Sequence, residues 1–205
     1  MEAYRYARVY DPLLFPFVRP IRKKVVSLVE ERRYRKILDV CCGTGDQLKL
    51  LKRHGFDAQG IDLSEAMLGV ARSGRVKADC TVQDAAQMRF ESGRFDLAMV
   101  VFALHEKEGP VARKILEEML RVTEAGGHLL IVDYEFTRRT DPFARAFITL
   151  IERIAGGEHY WNFKAYIENG GLPPLLSGLP LEEVQRHYFG RHGIVLTLLE
   201  KTAQG

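Results

Sequence analysis

The segment Ile37-Leu38-Asp39-Val40-Cys41-Cys42-Gly43-Thr44-Gly45-Asp46 passes from an apolar run into a glycine turn, and Leu48, Leu50 and Leu51 follow at helical spacing. A short buried strand, a Gly turn and a helix form the opening unit of a repeating β-α chain. Gly43 and Gly45 permit tight turns and close ligand approach. The helix after Gly45 presents free N–H groups at its start. A dinucleotide fingerprint needs G-x-G-x-x-G, and the third glycine position counted from Gly43 is Leu48. No Gly-Lys-Ser/Thr follows, so a phosphate-binding loop of the Walker kind is excluded as well. The acidic Asp39 and Asp46 oppose a pyrophosphate, which leaves a nucleoside-like ligand.

Working outward, apolar residues from Val18 to Val29 predict a helix from about Pro20 to Arg32. Downstream, Ala58–Asp62 reads as a second strand, and Ser64 caps a helix over Glu65–Ala71. Cys80-Thr81-Val82 belongs to a third strand, and the apolar run Phe95–Phe102 to a central fourth. Pro110 starts a helix through Val122, Gly126-Gly127 turns, and His128–Asp133 is a fifth strand. Asp141-Pro142 starts another helix with Phe143, Phe147, Leu150, Ile151 and Ile154 on one face. A short helix over about Asn162–Glu168 follows, and Leu181–Phe189 with Ile194–Glu200 forms a hairpin. The order predicts an α/β fold, a Rossmann-like doubly wound seven-stranded sheet, mostly parallel, with a C-terminal antiparallel hairpin. Its ligands belong at the carboxyl ends of the strands.

The composition agrees. The 205 residues are 46% hydrophobic and 28% charged, which suits one domain over 1–205. No apolar run approaches the roughly 20 residues of a membrane-spanning helix. The first eleven residues do not read as a secretory signal. Cys41, Cys42 and Cys80 form no disulfide framework or zinc spacing, so the expectation is a reducing, cytoplasmic setting, no bound metal, and packed thiols in place of nucleophiles. Residues 1–36 carry ten Lys/Arg against four Asp/Glu, a net of +6 in a chain whose total is +3. The basic excess is local and does not point to nucleic acid.

Asp39-x-x-x-Gly43-x-Gly45 after an apolar strand resembles motif I of the class I S-adenosylmethionine-dependent methyltransferases. Four further stretches match that family in order: Gly60–Met67, Gln83-Asp84-Ala85, Phe95–His105, and Leu120–Ile131 with its Gly126-Gly127 turn. The resemblance covers about Tyr34 to Asp133, and its wording is most similar to the ubiquinone/menaquinone methyltransferase-like branch. It implies S-adenosyl-L-methionine as cofactor. The loop with Asp39, Cys41, Gly43 and Gly45 would hold the methionine part. Asp62 would accept hydrogen bonds from the ribose, Leu63 and Met67 would flank the adenine, and Asp84 and Ala85 would meet its amino edge. Phe102 would stand near the methyl group. Cys41 replaces a usual glycine. Tyr10, with Asp11 and Tyr6, fits an N-terminal segment folded over the cofactor, so residues 1–33 are expected to form a lid and helix. Residues 136–180 are expected to be a helical insertion on the substrate side.

A methyl acceptor that must lose a proton needs a base. His105, at the ligand end of the fourth strand, and His159, beside Tyr160 and Trp161, are the catalytic candidates. Each also has a structural reading, a backbone-bonded histidine for His105 and a surface turn for His159. The expected acceptor is a small molecule, with a quinone- or lipid-like one preferred because amphipathic rings suit an apolar ligand. Leu14, Phe15 and Phe17 beside Arg22-Lys23-Lys24 also fit peripheral contact with an anionic membrane. The strand-four end reads Phe102-Ala103-Leu104-His105, which lacks a base-amine methyltransferase motif and argues against nucleic acid. Asp133 and Glu135 keep a magnesium-type acidic site narrowly open. Two other readings stand beside these: a cofactor-binding protein that acts through a partner without methyl transfer, and an NAD-dependent oxidoreductase, which Leu48 opposes.

Overall fold

The computed structural model describes residues 18–202. Helix α1 covers residues 18–32. Then follow β1 (Ile37–Val40), α2 (Asp46–Arg53), β2 (Ala58–Asp62), α3 (Glu65–Ala71), β3 (Asp79–Val82), β4 (Phe95–Val101) and α4 (Gly109–Val122). The chain continues through β5 (Thr123–Tyr134), α5 (Pro142–Ala155), α6 (Gly157–Glu168), α7 (Leu172–Leu176), β6 (Leu181–Phe189) and β7 (Ile194–Lys201).

The seven strands lie in the order β3-β2-β1-β4-β5-β7-β6. Strands β1 to β5 pair in parallel, whereas β7 pairs antiparallel with both β5 and β6. The hairpin therefore folds back so that its second strand is the inner one. Period-2 alternation explains how both sheet faces are buried. Ile37, Leu97, Met99, Leu130 and Val132 join α1, α2 and α3 in one apolar layer, including Ile21, Val25, Leu48, Leu51 and Leu68. Leu38, Val40, Ala98, Val100, Leu129 and Ile131 meet Ile115, Leu116 and Met119 of α4 in the other. Helix α6 sends Phe163 into the first layer and Tyr166 into the second, and both rings touch His105 just beyond β4. Chain order reverses between β1 and β4, which makes their carboxyl ends the crevice of the sheet.

Two local features depart from expectation, and a third, helix α7, falls within the stretch expected to be helical without having been placed there individually. Gly126-Gly127 lies inside β5, because pairing shifts from Phe95↔Thr123 to Leu97↔His128 and the strand bulges there. Helix α6 begins at Gly157, five residues before the expected start at Asn162. Pro173 and Pro174 sit in the first turn of the short helix α7, where missing N–H groups cost nothing. Asp141 behaves as expected, its carboxylate accepting from the Phe143 and Ala144 amides at 2.9 and 3.0 Å. Among the described residues, no helix is long and apolar enough to cross a membrane.

Gly45 is held at φ +70°, where an added Cβ would lie 2.8 Å from Ala71 Cβ and 3.1 Å from Ala78 Cβ. Left-handed strain and overpacking against groups that cannot swing away should together make Gly45→Ala destabilising by about 2–4 kcal/mol. Urea titration checks this, and an unchanged midpoint would mean that the turn relaxes freely.

Candidate active site

The loop after β1 is built around backbone that turns left-handed at Cys41 (φ 58°), Gly43 (φ 53°) and Gly45 (φ 70°). For Cys41 this is a strained conformation. Asp62, at the end of β2, clips the loop in place: Oδ2 accepts from the Gly43 amide at 2.9 Å and Oδ1 from the Ser64 amide at 2.8 Å. A carboxylate oxygen accepts more than one hydrogen bond, so both remain open to a further donor. Asp39 points from β1 with only 3% of its surface exposed. Burial pushes its carboxyl up to about 8, Arg22 offsets part of that rise, and Asp62 adds to it. Arg22 itself pairs with Asp46 at 2.9 Å. Gln47, in the first turn of α2, has both side-chain amide atoms buried without a hydrogen-bond partner among the described residues. A buried amide of this kind calls for a partner, whether an ordered water or a ligand. Burial pushes the Cys41 thiol up to about 12 and raises that of Cys42 as well, so both are poor nucleophiles at neutral pH.

A cavity of about 1070 Å³ opens over this loop. One end is walled by Asp39, Cys41, Gln47 and Met67, and the other by Phe102, His105, Glu152 and His159. Phe143, Phe147, Ile148, Ile151 and Ile154 of α5 form an apolar side. Part of that side faces outward, with Phe143 80% and Ile154 56% exposed, and Trp161 of α6 is also exposed, at 62%.

A chain of polar groups crosses the second end. His105 Nδ1 lies 2.6 Å from Asp133 Oδ1. Its Nε2 stands 3.7 Å from Glu152 Oε2, and the same oxygen is 2.7 Å from His159 Nε2. His159 Nδ1 is 3.2 Å from Glu106 Oε2, and Lys107 pairs with the other Glu106 oxygen at 2.7 Å. Tyr134 also hydrogen-bonds Glu152. Burial pulls the His105 imidazole down, but the charge and hydrogen bond of Asp133, with Glu152 and Glu106, push it up to about 9. At neutral pH such a ring is a donor; it must lose a proton before it can act as a base.

Of the residues singled out in the sequence, Asp39, Cys41, Met67, Phe102, His105 and His159 share the cavity wall. Gly43, Gly45 and Asp62 shape its floor through backbone and hydrogen bonds. Leu63 is 66% exposed, and Asp84 is an exposed turn residue whose Oδ1 accepts from Ala86 N, with Ala85 buried beside it. These three lie outside the cavity wall. Tyr10 lies outside the described residues, as does the part of the expected 1–33 lid and helix that precedes residue 18. Asp133 is taken up by His105, while Glu135 pairs with Arg186 at 2.9 Å and with the Tyr188 hydroxyl at 3.0 Å. Glu152, Glu106 and Gln47 were not anticipated. Glu152 had a signal: it is a charge set beside the apolar stripe of α5, next to Ile151 and one turn after Ile148.

Comparison with known proteins follows the same lines. A family model described as a methyltransferase domain matches residues 37–127. The demethylmenaquinone methyltransferase of Bacteroides fragilis is 32% identical over 204 residues, covering 92% of this chain and 79% of that one. Its namesake from Paenarthrobacter aurescens is 35% identical over 132 residues, covering 64% of this chain and 51% of the relative. The chain thus spans about half the length of that relative and of others like it. Among solved structures, a protein from Pyrococcus horikoshii superposes with a TM-score of 0.69 at 17% identity, over 97% of this chain and 99% of that one. The magnesium protoporphyrin IX methyltransferase of Synechocystis, solved with S-adenosylhomocysteine, superposes with a TM-score of 0.65 at 14% identity, over 89% and 83%. At those identities the likeness is one of fold.

Proposed function

The chain belongs to the class I S-adenosylmethionine-dependent methyltransferases, and from that premise we propose that it methylates an apolar small molecule of quinol or lipid-like kind. The observation that carries this reading is the single cavity joining the Asp39 loop to an apolar wall and a polar end. The names of the curated relatives, demethylmenaquinone methyltransferases, favour a quinol over other apolar acceptors.

The residues present fit the cofactor. Among the described residues nothing lies within 4 Å of the place where a side chain on Gly43 would start, so the loop leaves room for a ligand against its backbone. The unpaired Gln47 amide and the buried Asp39 carboxyl offer an acceptor, a donor and a counter-charge to an amino acid moiety. S-adenosylmethionine supplies an activated methyl group on a sulfonium. The chain supplies placement, which is the larger part of catalysis in such a displacement. In this reading Asp39, Cys41, Gly43 and Gly45 hold the methionine end. Asp62 takes the ribose hydroxyls on its free lone pairs. Met67 and Leu63 flank the adenine, Asp84 and Ala85 meet its edge, and Phe102 packs between the two halves of the cavity. Tyr10 belongs to the proposed lid. His105 and His159, joined through Glu152, meet the polar end of the acceptor, and His105 takes the proton the acceptor loses only after giving up its own. The exposed α5 side chains, with the basic segment around Arg19, Lys23 and Lys24, give an apolar acceptor a route from a membrane surface.

The test is transfer of labelled methyl from S-adenosylmethionine into a cell extract that is then split into organic-soluble, small aqueous and macromolecular fractions. The expected result is label in the organic fraction. Label confined to macromolecules would overturn the reading. Tight binding of S-adenosylhomocysteine with no transfer into any fraction would favour a protein that acts through a partner.

A further inference from the structure

His105, Glu152 and His159 each offer one ligand atom to a common point, and these atoms lie within 4.8 Å of one another. The two imidazoles present Nε2 to the same carboxylate oxygen, at 3.7 Å from His105 and 2.7 Å from His159. Ligand atoms around a tetrahedral ion with N and O bonds near 2.1 Å stand about 3.4 Å apart. The two Nε2–Oε2 separations bracket that value, and the third pair, within 4.8 Å, needs to close by at most about 1.4 Å.

A second, independent feature concerns the outer nitrogens. His105 Nδ1 is held by Asp133 at 2.6 Å, and His159 Nδ1 by Glu106 at 3.2 Å. A carboxylate behind each imidazole holds Nδ1 as the donor and aims Nε2 inward, the orientation of metal-binding histidines, so that an ion arriving there has only an Nε2 proton to displace.

We propose that His105, Glu152 and His159 bind a divalent transition-metal ion at the acceptor end of the cavity. Two imidazoles and one carboxylate suit zinc, iron or manganese and not the all-oxygen ions calcium and magnesium. Because all three residues line the cavity, the remaining coordination position opens onto it, for water or an oxygen of the bound acceptor; with the ion in place the two Nε2 atoms are ligands and no longer take the acceptor's proton, which the ion instead makes easier to lose. The site stands on its own geometry; its place beside an acceptor rests on the function proposed above.

The experiment uses the untagged full chain, stripped with a chelator and titrated with cobalt(II), with zinc followed in parallel by equilibrium dialysis. The expected result is one equivalent bound, with visible bands of nitrogen and oxygen ligation and no thiolate charge-transfer band. Glu152→Gln and His159→Gln should each weaken binding at least tenfold, and Glu106→Gln, which removes an outer carboxylate, by about tenfold. S-adenosylhomocysteine binding shows that each variant is folded. Three outcomes would overturn the proposal: no stoichiometric metal, a thiolate band placing the ion on cysteine, or undiminished binding in both ligand variants. The trio would then be a hydrogen-bonded ion-pair chain. Metal binding without methyl transfer would instead tell against the proposed function and leave the metal site standing.

Discussion

Asp133→Ala should lower the free energy of unfolding by about 3–5 kcal/mol, the cost typical of removing one partner from a buried charged pair. The carboxylate is fully buried at the end of β5 and gathers four donors. Oδ2 accepts from the Leu104 and His105 amides at 3.1 and 3.2 Å, and Oδ1 from the Tyr134 amide at 2.8 Å. The fourth is His105 Nδ1 at 2.6 Å. Alanine would leave three backbone N–H groups and an imidazole unanswered in the interior, each at the desolvation cost of an unmade hydrogen bond. Asp133→Asn is the informative companion. Its amide keeps one acceptor oxygen but turns NH₂ toward donors, so it should recover only part of the loss. Chemical denaturation of both variants reads the effect. A loss below about 1 kcal/mol for alanine would show that water replaces the carboxylate and that the β4 end is looser than its hydrogen bonds imply.

The carboxylate also explains why the site was only partly visible in the sequence. The glycine loop, the acidic end of β2 and the histidine after β4 announce themselves through local patterns, since a turn needs Gly43 and Gly45 at set places and a buried strand needs its apolar run. The strand alternation that separates Leu38 from Ile37 and Ala98 from Leu97 is legible for the same reason, and so was the doubly wound sheet. The acceptor end is different. It is assembled from Glu106, Asp133, Glu152 and His159, on four separate elements, and no short-range rule links them. Only folding α5 and α6 over the carboxyl ends of the strands brings Glu152 between two histidines. Gly126-Gly127 shows the reverse error. A glycine pair reads as a turn, yet pairing with β4 draws it into a bulged strand, because tertiary pairing outweighs local preference.

Asp39 should make cofactor affinity depend on pH in a direction its burial dictates. In the free chain its carboxyl is raised to about 8, so it is mostly protonated and neutral at pH 6 to 7. The ammonium of a bound S-adenosylhomocysteine beside it would favour the ionised form and expel that proton. Binding then releases a proton below pH 8, and linkage makes affinity rise with pH, approaching about tenfold per unit between roughly pH 6 and 8 and levelling above. Asp39→Asn should abolish the slope, binding much as the parent does near pH 6 and well below it at pH 8. Stability of the free chain carries the opposite sign. An acid whose folded value lies above its unfolded one of about 3.9 binds more protons when folded, so the parent should lose stability relative to Asp39→Asn as pH rises from roughly 4 to 8. Calorimetry in buffers of different ionisation enthalpy measures the released proton directly. A flat affinity profile in the parent chain, with no proton released, would place the ammonium elsewhere and leave Asp39 as a buried acid that shapes the loop without touching the cofactor.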